Sequence, residues 1–269
     1  LKHVERNGFS LIACGRSAGS RSILYFYFMK DIQSQLDSRR INIKKVGVKT
    51  VSYPITVRDK AQKQQQTVAT ANMYVNLPHK FKGTHMSRFV EILNEFHGEI
   101  DIKSFYIILE KMKVRLEAEA SHLEIEFPYF LKKVRNGDPR NLGHYKCSMH
   151  GSLETEGELT LSVEVPISLP IAEKTSHRLP GSMGRWGKAD VSVRFRQFFW
   201  IEDIILLIEE TVAEELNDLA TKEPKIISVE ALARRVGTSL EGIEAVKWYS
   251  VTVHNFGDEC STFATLESC

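Results

Sequence analysis

Hydrophobic and polar positions alternate along the chain from Val46 onward. Val51, Tyr53, Ile55 and Val57 alternate with smaller or polar residues, the pattern of a half-buried strand. Pro54, lacking an amide hydrogen, predicts an edge position or a bulge there. The polar run from Asp59 to Gln66 reads as a loop. Beyond it, Thr67, Ala69, Ala71, Met73, Val75 and Leu77 share one face of a second strand. The period then changes to that of a helix. Met86, Phe89, Val90, Leu93 and Phe96 recur at three and four residues, with Thr84 as expected N-cap and Gly98 as expected stop. A second helical stripe holds Phe105, Ile108, Leu109, Met112 and Leu116.

Strand patterns return at His122–Phe127, and a turn is expected over Arg135–Asn141. Strands are expected again at His144–Leu153 and along Leu159, Leu161, Val163 and Val165. The second half repeats the scheme. Val191–Phe195 reads as a strand. Ile201, Ile204, Ile205, Ile208, Val212 and Leu216 mark a long amphipathic helix, and Val229, Leu232, Ala233, Val236 and Leu240 mark another. Lys247–Val253 reads as the closing strand. Strands flanking helix pairs, twice over, predict an α+β fold with antiparallel sheets and an internal duplication without a residue-level repeat. The expected division is residues 1–28 as an extension outside the fold, 29–143 as a first module and 144–269 as a second.

Composition narrows the classes. Of 269 residues, 42% are hydrophobic and 26% charged, enough to bury a core. A net charge of +2 is too even to predict nucleic-acid binding. The four scattered cysteines form no C-x-x-C pair, so a reducing, cytoplasmic compartment is expected. No apolar run is long enough for a helix to cross a bilayer, and no membrane association is expected. The run Ile23–Met29 sits at the short edge for a signal-peptide core, with no small-residue cleavage site after it.

Candidate chemistry is local. Phe81–Phe89 reads FKGTHMSRF. Gly83, Thr84, Met86 and Phe89 suit a helix start, which leaves His85, Ser87 and Arg88 in a first turn. Helix N-termini favour anions, and an arginine adds a forked donor, so both a plain helix start and an anion site fit. In His144–His150, strand alternation puts Cys147 with Tyr145 and Met149, and both histidines on the other face, which argues against a shared metal. Glu230 opens the last helix, where an acidic residue favours the positive end. Ser176–Asp190 is basic and glycine-rich and reads as a loop.

Two of these stretches carry a resemblance. Asp31–Asp59 followed by Met73–Leu93, above all the K-G-T-H-M-S-R-F string after Leu77–Pro78, resembles the N-terminal half of GTP cyclohydrolase I type IB. Weaker similarity continues through Trp200–Glu210 and Val229–Val236. The resemblance implies the tunnelling fold, with two modules in tandem, each an antiparallel sheet bearing two helices on one face, and a homotetramer. It implies GTP as substrate, hydrolysed to 7,8-dihydroneopterin triphosphate and formate in folate biosynthesis. Glu230 matches the position of the guanine-anchoring glutamate, and Thr84, His85, Ser87 and Arg88 match the nucleotide motif. A divalent metal (zinc, manganese or iron) is implied as well. Its ligand motifs differ here: Pro170–Ala172 stand in place of C-P-C-S-K, and Arg185 stands where the family has a metal histidine. The match therefore assigns no metal ligand and no catalytic residue in this chain.

Overall fold

The structure is a computed structural model that describes residues 5–6, 9–10, 43–60, 64–77, 85–96, 98, 102–132, 142–168, 185–197, 199–221, 228–256 and 260–268. Eight strands make one antiparallel sheet: β1 (Ile43–Arg58), β2 (Gln64–Leu77), β3 (Ala120–Lys132), β4 (Leu142–Leu153), β5 (Gly157–Ser168), β6 (Arg185–Phe195), β7 (Val246–Phe256) and β8 (Ser261–Glu267). The order across the sheet is β8-β7-β6-β5-β4-β3-β2-β1, so sheet neighbours are also neighbours in sequence. A helix pair interrupts the run twice. Helices α1 (Ser87–Asn94) and α2 (Ile102–Arg115) lie between β2 and β3, and α3 (Ile201–Thr221) and α4 (Val229–Glu241) lie between β6 and β7. The order ββααββ thus occurs twice, the α+β tandem that the sequence pattern implies. Apart from this sheet, Glu5–Arg6 pairs with Phe9–Ser10.

The strand period decides what each face of the sheet carries. Alternate residues of β2, β3 and β4 (Met73, Val75, Leu123, Ile125, Tyr145 and Cys147 among them) are buried under the helices. In the second module Val163, Val165, Val191, Val193, Val251 and Val253 do the same. The helix stripes complete this core: Phe105, Ile108, Leu109 and Met112 of α2, Ile204, Ile205 and Ile208 of α3, and Leu232, Val236 and Leu240 of α4 are all buried. The other phase of each strand forms an open face rich in polar side chains, including Asn72, Glu124, His150, Ser162, Glu164, Asp190 and His254.

Strand β1 is an edge of the sheet and carries register shifts between Ile43 and Val46 and between Val48 and Val51. Pro54 therefore sits on an edge strand, as a residue without an amide hydrogen should. Gly98 has φ +80°, and its carbonyl accepts from the Thr56 amide at 2.9 Å. A side chain there would meet the Pro54 carbonyl at 2.5 Å, so this position needs both the space and the conformational freedom of glycine.

Four expectations change. Gln64–Gln66 belong to β2 instead of a loop. Gln65 gives the reason: its side-chain amide donates to the Phe130 carbonyl and accepts from the Phe130 amide, so polar residues extend the ladder. Arg185–Asp190, read as loop, form the start of β6. Lys247–Val253 is not the last strand, because β8 follows it on the edge. The cap position of α1 is held by Met86, with no side-chain cap; Thr84, expected there, lies outside the described residues. The turn expected over 135–141 also lies outside them.

Candidate functional site

Helix α1 begins at Ser87, with His85 half-buried just before it and Ser87 and Arg88 exposed on its first turn. The local sequence explains the geometry. Phe89, Ile92 and Leu93 turn one face into the core, which directs Arg88 outward. The first turn has no acidic residue and no side-chain cap, so the helix itself supplies nothing that neutralises its positive end. The Arg88 amide donates to the His85 carbonyl at 3.1 Å. Its guanidinium Nη1 reaches the Arg115 carbonyl at 3.5 Å, at the C-terminal end of α2. Arg115 and Lys111 both pair with Glu95, whose carboxyl these two cations hold below the usual range, Lys111 foremost. The three polar residues therefore come together at the entrance of α1, beside the end of α2.

Glu230 occupies the first turn of α4 and is exposed. Ser228 is the N-cap. Its Oγ accepts from the Ala231 amide at 3.1 Å and donates to Glu230 Oε2 at 2.6 Å. The Ser228 hydroxyl, then the backbone amide of Glu230 itself, hold this carboxyl below the usual range, with Arg234 adding to them. It is an anion at neutral pH and an acceptor of hydrogen bonds. Glu230 is not brought beside His85 and Arg88 by packing within a helix pair. Helix α4 packs on α3, β7 and β8, whereas α1 packs on α2.

Cys147 points into the core with Tyr145 and Met149, while His144 and His150 lie on the open face, as the strand period predicts. Burial pushes the Cys147 thiol up to about 12, so it is not a thiolate at neutral pH. Among the described residues, no three histidine, cysteine or carboxylate side chains come together as a metal site.

Two polar networks on the open face escaped the sequence reading. In the first module, Glu124 accepts from Asn72 at 2.9 Å and from the Tyr74 hydroxyl at 2.8 Å. Tyr74 stacks on His122, and the Lys45 ammonium lies 3.4 Å from its ring centroid. Burial, then the bond to Glu124, push the Tyr74 hydroxyl up to about 12. Burial, and after it the neighbouring His150, push His122 down. In the second module, Lys188 bridges Glu164 and Asp190. The only signal either network leaves in the sequence is the polar phase of the strands, and no short spacing joins their members.

A family model described as type I GTP cyclohydrolase FolE2 matches residues 29–257. The chain is 42% identical over 240 residues to the GTP cyclohydrolase FolE2 of Syntrophus aciditrophicus (strain SB), covering 85% of this chain and 94% of that one. It is 42% identical over 256 residues to that of Geobacter metallireducens, with 89% and 97% covered. Among solved structures, a hyperthermostable mutant of Bacillus sp. TB-90 urate oxidase superposes with a TM-score of 0.54 at 9% identity, covering 84% of this chain and 99% of that one. A hyper-thermostable AgUricase mutant superposes with a TM-score of 0.53 at 8% identity. Likeness at such low identity speaks to architecture alone, and the architecture is the tunnelling fold. With the family match running through both modules, the chain belongs to the type I GTP cyclohydrolase family of FolE2 proteins.

Proposed function

We propose that this protein is a GTP cyclohydrolase I of type IB, hydrolysing GTP to 7,8-dihydroneopterin triphosphate and formate in folate biosynthesis. The observation that carries the reading is family membership across residues 29–257. In it, the Glu230 carboxylate accepts hydrogen bonds from the N–H groups of the guanine. Its lowered proton affinity supports that role, because only the anion accepts at both oxygens. His85, Ser87 and Arg88, with Thr84 before them, take the triphosphate at the uncapped end of α1. The family resemblance also implies a homotetramer, and the reading includes that assembly. It also places the protein in the cytoplasm. The expected division at 143/144 falls inside β4 (Leu142–Leu153), so the module boundary is proposed instead at Glu154–Glu156, between β4 and β5.

The family resemblance implies a divalent metal. A bound divalent ion would activate the attacking water. Cys147 is buried and protonated, His144 and His150 face away from it, and no metal-ligating trio forms among the described residues. These residues do not fit the ion, and no step is routed through it. That misfit favours a second reading, a tunnelling-fold homologue that binds a purine or pterin, or serves in assembly, without turnover.

One experiment separates the two. Purified protein is incubated with GTP, with and without added manganese or zinc, and formate and pterin fluorescence are measured. Equal amounts of both products support the cyclohydrolase. Neither product, together with a rise in the thermal midpoint on adding GTP, supports the binder. No product, and no thermal shift with GTP or a pterin, overturns both the cyclohydrolase and the binder and leaves only the assembly role.

A further inference from the structure

On the open face of the first module, one carboxylate secures part of an edge strand. Between its two register shifts, β1 pairs with β2 through Val46, Gly47 and Val48, opposite Val75, Tyr74 and Met73. Thr50, just beyond, has φ 56°, an uncommon conformation for a residue with a side chain. Side chains add two ties to this short ladder. The Thr50 amide donates to Asn72 Oδ1 at 2.8 Å, and Asn72 Nδ2 donates to Glu124 Oε2 at 2.9 Å. The Lys45 ammonium lies 3.4 Å from the Tyr74 ring centroid, and the Tyr74 hydroxyl donates to Glu124 Oε1 at 2.8 Å. Both ties end on the same carboxylate.

Two imidazoles flank these ties. The His122 ring stacks on Tyr74 with centroids 4.8 Å apart and planes 17° from parallel. Lys45 comes from β1 and His122 from β3, the strands on either side of β2, so the tyrosine ring lies between them. His150, opposite Glu124 in register on β4, brings its Nε2 to 4.0 Å from Glu124 Oε1. The groups facing His122 are thus Lys45 from β1, Tyr74 from β2, Glu124 on its own strand, His150 from β4 and Glu154 just past β4. Burial first, then His150 and Lys45, push the His122 imidazole down, outweighing the attraction of Glu124 and Glu154. A proton on His122 sets a second cation against the ring that already carries Lys45. Withdrawing Lys45 relieves that repulsion, and the end of the edge strand goes with it. We propose that this cluster is a pH-operated fastener, which holds residues 45–50 of β1 at neutral pH and releases them on mild acidification, when His122 takes up a proton. The fastened state binds that proton less readily than the released state, in which an ordinary imidazole titrates near about 6.5. Fastening is therefore complete above that value and weakens as pH falls through it. Glu124, held below the usual carboxyl range, stays an anion in this window. Release uncovers the backbone of β2 at Met73, Tyr74 and Val75.

The test is amide hydrogen exchange of the full chain at about pH 7.5 and about pH 5.5, each rate corrected for the intrinsic rate at that pH. Residues 45–50 are expected to lose protection severalfold at the lower pH, up to the limit of about tenfold that one imidazole sets. The ladder of β3 and β4 around Ile125 and Met149 is expected to keep its protection. His122→Gln is expected to remove the pH dependence at 45–50, and Lys45→Met to reduce it. Should His122→Gln fold poorly by circular dichroism, His122→Phe keeps a ring on Tyr74 and carries the same comparison. Protection at 45–50 that is the same at both pH values overturns the proposal. So does a loss that persists in the folded His122 variant, or one that the β3–β4 ladder shares to the same extent.

Discussion

The Tyr145 hydroxyl donates a 2.5 Å hydrogen bond to Glu209 Oε1, joining β4 of the first module to α3 of the second. Two turns back along the same helix face, Glu202 takes the Tyr129 hydroxyl and the Lys60 amide, the latter at 2.7 Å. Asp203 adds an ion pair to Lys60 at 2.7 Å. Burial, together with these carboxylates, pushes both tyrosines far up, so each stays a donor throughout the working pH range. A hydrogen bond to a charged partner is worth about 1.5–3 kcal/mol, so Tyr145→Phe is expected to lower unfolding stability by about that amount. Urea denaturation measures it, and an unchanged midpoint would show that Glu209 is served equally well without the hydroxyl.

Gly187 lies on β6 directly against the backbone of β7. A methyl there would come within 1.8 Å of the His254 carbonyl oxygen, which is backbone and cannot swing away. Gly187→Ala is expected to cost on the order of 1–3 kcal/mol by overpacking. The same substitution should disturb the ion pair of His254 with Asp190, visible as a shift of the His254 ring resonances.

Glu124 supplies a pH dependence. Burial pushes its carboxyl up, but hydrogen bonds from Asn72 and Tyr74, aided by His150 and Lys45, outweigh this and leave it below the usual range. The folded state therefore releases this proton more readily than the unfolded chain does. The stability it adds is present above the unfolded value of about 4.3 and is lost as pH falls through the folded value. The wild type should exceed Glu124→Gln in stability at pH 7, and the gap should shrink on acidification below about pH 4. A gap that widens on acidification would contradict the assignment.

For the nucleotide, Glu230→Ala is expected to weaken GTP and guanosine alike, by about tenfold or more, because a charged acceptor is lost. Arg88→Ala should weaken GTP and leave guanosine nearly unchanged, since the guanidinium is assigned to phosphate. Calorimetry with both ligands tests the pair. Equal losses for the two ligands in Arg88→Ala would remove it from the phosphate site.

What the sequence makes legible depends on distance along the chain. The stripes of α2 and α4 are periodic within one element, and every described residue named for them is buried. The faces of β2 and β4 follow from alternation in the same way, which is why Cys147 is correctly separated from His144 and His150. The elements missed have little periodicity of their own. Gln64–Gln66 are polar, β8 is short with only Ala264 and Leu266 turned toward the core, and Arg185–Asp190 contain a glycine required by the neighbouring strand. The site divides likewise. His85, Ser87 and Arg88 are adjacent in sequence and so can be read together. The network around Glu124 draws on four strands, and only the register of the sheet assembles it.

The strand order has a consequence for how the chain is made. Because each strand lies beside its predecessor, a strand leaving the ribosome finds its partner already synthesised. No segment has to wait for a later one to complete its ladder, apart from the pauses imposed by the two helix pairs. At a synthesis rate of about 5–20 residues per second, the sheet can widen one strand at a time during translation. A chain stalled after β4 is thus expected to carry a protected four-stranded half-sheet, which limited proteolysis of arrested ribosomes would reveal.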